Sequence, residues 1–255
     1  MKKLASNLFY MTTFEKDALQ KPGNYGLGLE LVEYMMTYTD AEIQERHEYV
    51  PKLMEGFKNF SFHGTIISRD IIKINKLSDD ELTAIYNESC KYARFHGVDK
   101  IVFHANYSAE FETASSWLSR RTLFWKRFLQ DKPVSFRLYL ENLVDETPEM
   151  MAKLCDSVDD PRFKLCLDTG HVCCNSSVGI HEWIETLGRR VEHVHLHNND
   201  GVLDKHWDLG QGVLDMAEVV DGLLKFANVQ AFVLECNFNK SWNWLQANNF
   251  LLTEE

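Results

Sequence analysis

The chain has no apolar run approaching the roughly 20 residues needed to cross a bilayer, so no membrane span is expected. Proline is scarce, 5 in 255 residues, and no seam rich in Pro, Gly or Ser divides the sequence into domains; one domain over 1–255 is expected. A surplus of positive charge is also missing. Lys and Arg number 27 against 38 Asp and Glu, a net charge of −11. Nucleic-acid binders ordinarily present a basic face that replaces phosphate counterions. Here the basic residues form only short pairs such as Arg120-Arg121 and Arg189-Arg190, so a nucleic-acid partner is not expected. The start, MKKLASNLFYMTTFEK, has too short an apolar part for a secretion signal and reads as a first strand. Six cysteines without an export signal are expected to be reduced thiols in a cytoplasm, and adjacent Cys173 and Cys174 are not expected to bridge.

What is present is a repeating pattern. Short apolar runs bounded by turn residues occur at 4–9, 26–33, 60–65, 100–105, 137–142, 163–168, 193–198 and 231–236. Helical patterns lie between most of them. Residues 78–97 open with the capping box Ser78 and Glu81 and stop at Gly97; 147–157 have Thr147 as cap and Pro148 in the first turn; 181–188 end at Gly188; 214–227 follow the seventh run. The first strand-to-strand link is short, which makes a helix there doubtful. Alternation of this kind over this length predicts an α/β fold, a single (β/α)8 TIM barrel. A doubly wound open sheet is the alternative, but no glycine-rich turn follows the first strand.

Strand side chains alternate between barrel interior and helical shell. Placing Val194 and Leu196 outside turns His193, His195 and His197 inward. Applied to the other strands, the same parity turns Glu30, His63, His104, Glu141, Asp168 and Glu235 inward, near the strand ends where barrel enzymes do their chemistry. So many buried acids and imidazoles need a positive partner, and a divalent metal is the simplest one. His193 is expected to be a hydrogen-bonded core residue, and His197 to sit behind the ligands or at the rim.

FHG (62–64), FHA (103–105), LEN (140–142) with TPE (147–149), CLDTGH (166–171), HLHNNDG with DKH and LGQG (195–212) and LEC (234–236) together resemble the xylose-isomerase-like TIM-barrel superfamily, which includes metal-dependent apurinic endonucleases. The resemblance implies a metal centre of Glu141, Asp168, His195 and Glu235, suited to Mn²⁺, Mg²⁺, Co²⁺ or Zn²⁺. By the endonuclease pattern, His63 and His104 with Glu141, and His171 with Asp204 and His206, correspond to ligands of two further metals. They are additional metal or substrate-binding candidates, as is Glu30.

The function implied is sugar isomerisation or epimerisation through a cis-enediolate, with Glu141 and Glu235 as acid/base carboxylates and His171 contacting a sugar oxygen. Trp117, Trp207 and Trp242 are either stacking surfaces for a sugar or simple packing. The loop LHNNDGVLD lacks the arginine that such epimerases often carry after the seventh-strand histidine, and no phosphate cradle is evident. The alternative is a phosphodiesterase of the apurinic-endonuclease type holding up to three zinc ions; a third class is a barrel that only binds a polyol or metal. The expected partner is a small sugar or polyol, with pairing into a homodimer implied by the resemblance.

Overall fold

A computed structural model describes residues 3–13, 26–34, 38–65, 77–105 and 107–252. Eight parallel strands close into a barrel in sequence order: β1 (Phe9–Thr12), β2 (Gly28–Leu31), β3 (Asn59–His63), β4 (Lys100–His104), β5 (Arg137–Glu141), β6 (Phe163–Asp168), β7 (Val191–Leu196) and β8 (Ala231–Leu234). The register lines up the polar residues. Glu30 lies opposite Thr12 and Ser61, His104 opposite Glu141, and Asp168 opposite His195. The outward residues, among them Leu138, Leu140, Leu165, Leu167, Val194 and Leu196, are fully buried against the helices. Burying each such side chain stabilises the fold by about 1.5–3 kcal/mol.

The described helices are α1 (Asp40–Met54), α2 (Asp79–Phe95), α3 (Ala114–Gln130), α4 (Glu149–Val158), α5 (Thr169–Asn175), α6 (Ile180–Leu187), α7 (Met216–Phe226) and α8 (Phe238–Ala247). The Ser78/Glu81 capping box is formed, and Gly97 follows α2 with φ of +73°, a conformation that favours glycine. The cap of α4 is Pro148, one residue later than Thr147.

The first strand corrects the expectation of 4–9. It runs Phe9–Thr12, while Ser6–Leu8 form a 3-10 turn and Leu4 bridges to Leu251. Both stretches are apolar, so alternation alone does not separate them. The register is set by Tyr10, whose ring covers Gly28 so closely that a Cβ there would come within 2.5 Å of it. The link at 14–25, with its doubtful helix, lies outside the described residues. All six cysteines are free thiols. No helix among the described residues is long and apolar enough to cross a membrane.

Candidate metal centre

Glu141 ends β5 at the centre of a ring of imidazoles. Its Oε1 lies 3.0 Å from His195 Nδ1 and 3.4 Å from His171 Nδ1; its Oε2 lies 3.3 Å from both His63 Nε2 and His104 Nε2. His195 Nδ1 also faces Glu235 Oε1 at 3.4 Å and Asp168 Oδ2 at 3.7 Å. Glu141, Asp168 and Glu235 therefore converge on the same nitrogen of His195.

Asp168 closes β6 and caps α5. Its Oδ1 accepts the His171 backbone N–H at 2.6 Å, and its Oδ2 accepts from His197 Nε2 at 3.0 Å. The short helix α5 thus begins on a site carboxylate, which carries His171 into the mouth. Farther out, Asp204 Oδ2 lies 3.2 Å from His206 Nε2 and 3.6 Å from His171 Nε2.

Which ring nitrogen carries the proton follows from the backbone. His63 Nδ1 lies 2.9 Å from the Gly64 carbonyl, His171 Nδ1 2.9 Å from Asn142 O, and His206 Nδ1 2.8 Å from Glu235 O. A carbonyl oxygen only accepts, so each Nδ1 is the donor. In the neutral ring Nε2 then keeps its lone pair, and in all three residues Nε2 points at a carboxylate oxygen. Lone pairs facing lone pairs call for a cation between them. Donors sharing a divalent ion at about 2.1 Å stand roughly 3.0–3.5 Å apart, the spacing seen around Glu141. The residues therefore fit a divalent metal.

The electrostatics agree. Burial works against ionised Glu141, yet His195 and His104 beside it hold its carboxyl well below the usual range. Burial also opposes charge on His195, but Cys166, Glu235, Glu141 and Glu30 around it raise its pKa well above the ordinary value. Against the same burial, Glu141 lifts His63 to about 9, and Asp204 with Glu235 lifts His206 to about 9. For His104 burial prevails and the pKa is lowered. The mouth draws positive charge, and protons compete with a metal for the same lone pairs.

Most of the expected site residues gather here. Glu30 lies deeper, fully buried against His195 with its Oε1 3.0 Å from Nε2, and it groups with His195 and Glu235 closely enough to share an ion. His193 is the expected core histidine, with Nε2 donating to Glu30 at 2.8 Å. The rim position considered for His197 is wrong: the residue is fully buried, holds Asp168, and stacks on His206 with centroids 4.0 Å apart. A Cβ on Gly170 would stand 1.9 Å from the His197 ring, which explains the glycine in CLDTGH. That motif and the inward parity of His197 were the available signals. Trp117 and Trp242 are packing residues, buried on Tyr107 and Phe9 respectively; Trp207 is half-buried under Lys205.

Residues 26–249 match the sequence family described as xylose isomerase-like TIM barrel. The chain belongs to that family. Similar solved structures include a Thermus thermophilus protein soaked with zinc chloride, 24% identical with a TM-score of 0.67 over 94% of this chain and 97% of that one. A D-tagatose 3-epimerase-like protein is 19% identical, with a TM-score of 0.69 over 94% and 96% of the two chains. A xylose isomerase domain protein from Planctomyces limnophilus is 13% identical, with a TM-score of 0.70 over 97% and 98%. At these identities the likeness shows the xylose isomerase-like barrel fold. An uncharacterised Methanocaldococcus jannaschii protein is 31% identical over 80 residues, 30% of this chain and 27% of that protein's length.

Proposed function

We propose that the protein is a divalent-metal-dependent sugar isomerase or epimerase. The observation that carries this reading is the approach of two carboxylates, Glu141 and Glu235, to the same nitrogen of His195, at 3.0 and 3.4 Å. Glu141, Asp168, His195 and Glu235 would hold the ion. When bound, a metal of this kind acts as a Lewis acid that polarises a sugar carbonyl.

The remaining work falls to the side chains. Glu235, at the end of β8, removes the proton from the carbon beside the carbonyl, leaving a cis-enediolate. Glu141, ionised at the start, takes the proton of the neighbouring substrate hydroxyl and delivers it to that carbon or its neighbour, and Glu235 gives its own proton to the substrate oxygen left charged. The two carboxylates must alternate as base and acid over a full cycle. His171 and His206, each fixed at Nδ1 by a backbone carbonyl, turn Nε2 toward Asp204, and the three together line one side of the mouth where substrate oxygens would lie. Asp204 aligns both rings. The D-tagatose 3-epimerase-like structure, and a D-psicose 3-epimerase crystallised in the presence of D-fructose, support a free ketose as the substrate class. The net charge of −11 suits a small neutral substrate better than a nucleic-acid duplex.

A second reading, phosphodiester hydrolysis with up to three zinc ions, is favoured by the two flanking groups, His63–His104–Glu141 and His171–Asp204–His206. One experiment separates the readings. D-tagatose or D-fructose incubated with the Mn²⁺-loaded protein in deuterated water is expected to gain deuterium beside the carbonyl, and Glu235→Gln to abolish the gain. Persistent exchange in that variant refutes the role of Glu235. Absence of exchange together with cleavage of an abasic duplex establishes the second reading.

A further inference from the structure

One buried carboxylate has no task in this scheme. Glu30 sits on β2, closed off from solvent. Its Oε2 accepts from Ser61 Oγ at 2.8 Å and from His193 Nε2 at 2.8 Å, and its Oε1 stands 3.0 Å from His195 Nε2. The opposite nitrogen of that ring, His195 Nδ1, looks up at Glu141, Glu235 and Asp168 at 3.0, 3.4 and 3.7 Å.

A carboxylate offers only acceptors. Both ring nitrogens of His195 face carboxylates, Nδ1 in a hydrogen bond with Glu141 and Nε2 only in the 3.0 Å contact with Glu30; a metal in the mouth would need the Nδ1 lone pair and so leave the ring proton on Nε2, toward Glu30. Resting on the metal reading above, we infer that Glu30 is a positioning residue that sets the cation affinity of the centre through His195. It fixes the ring's tautomer and orientation, and its negative charge makes Nδ1 a stronger donor.

The floor around Glu30 is built to hold it still. Ser61 and His193 both bind its other oxygen, so Oε1 remains for His195. His193 is itself pinned by its ring stack on Tyr139, with centroids 4.8 Å apart and planes 18° from parallel. Glu30 thus reaches the centre from beneath, through an imidazole; no substrate group need touch it.

The test is cation affinity. Glu30→Gln keeps the size and one acceptor oxygen but removes the charge. In protein stripped by chelator, Co²⁺ affinity measured by competition with a chromophoric chelator is expected to fall about 10–100-fold, and the visible d–d bands of the Co²⁺ form to shift. Ser61→Ala only loosens Glu30 and is expected to weaken affinity in the same direction by less; it carries the test if Glu30→Gln fails to fold. Affinity within about twofold of wild type in the folded variants, with unchanged bands, overturns the inference. A wild-type protein that binds no Co²⁺ overturns the metal reading itself, so the two failures are told apart.

Discussion

The lower and upper halves of the barrel interior are lined by the same strands and filled with different chemistry. Below, Tyr10, Val102, Tyr139, Cys166 and Val233 pack as small apolar clusters, and His193 is satisfied by Glu30. Above, His63, His104, Glu141, Asp168, His195 and Glu235 turn lone pairs toward one another. Two residues along one strand separate the regimes: Tyr139 and Glu141 on β5, Cys166 and Asp168 on β6. Parity decides that a side chain faces inward; distance along the strand decides whether it supports the fold or serves the mouth.

Substitutions on one strand test that division. Glu141→Ala removes the carboxylate shared by four imidazoles. Turnover is expected to fall by about 10²–10⁴-fold or more, read in the exchange assay, with the fold retained by circular dichroism. Tyr139→Ala, two residues below, is expected to lower unfolding free energy by roughly 3–5 kcal/mol through the cavity it leaves, with metal stoichiometry unchanged. Comparable loss of bound metal in both variants would erase the distinction between the halves. Gly170→Ala lies between these cases. The new methyl would push the His197 ring away from Asp168, so about 1–3 kcal/mol of stability and part of the metal affinity are expected to go together, measured by denaturation and chelator competition.

The smallest expected effect sharpens the comparison from outside the barrel. Asp145 is as buried as Glu141 but is held by the backbone N–H groups of Leu143 and Tyr107, and burial pushes its pKa up to about 7. Its folded pKa is above the unfolded value, so the native state holds the extra proton. Its contribution to stability is present at low pH and lost as pH rises from about 4 to about 7. Urea titrations are expected to show wild-type stability declining more steeply than that of Asp145→Asn across this window. Equal slopes would mean that burial alone does not raise this carboxyl.

The alternation of Leu138, Leu140, Val194 and Leu196 with polar residues made the barrel and the inward set at the mouth legible in the sequence. One capping box, the Thr147-Pro148 start and the stops at Gly97 and Gly188 located several helices. The first strand was not legible, because residues 4–12 are mostly apolar and Tyr10 finds its register only by meeting Gly28 on the neighbouring strand. Helix α5 was hidden because it is short and begins on Asp168, which also belongs to the mouth. The height of Glu30 and His197 within the barrel depends on strand stagger, a tertiary property that a parity of two does not encode.

The central claim is that Glu141, Asp168, His195 and Glu235 together hold a divalent ion. Equilibrium dialysis against Mn²⁺ or Zn²⁺, followed by elemental analysis, tests it directly with wild type and Asp168→Ala. The account predicts at least one retained ion per wild-type chain and its loss in the variant. No retained metal in the wild type, or equal retention in both proteins, would contradict it.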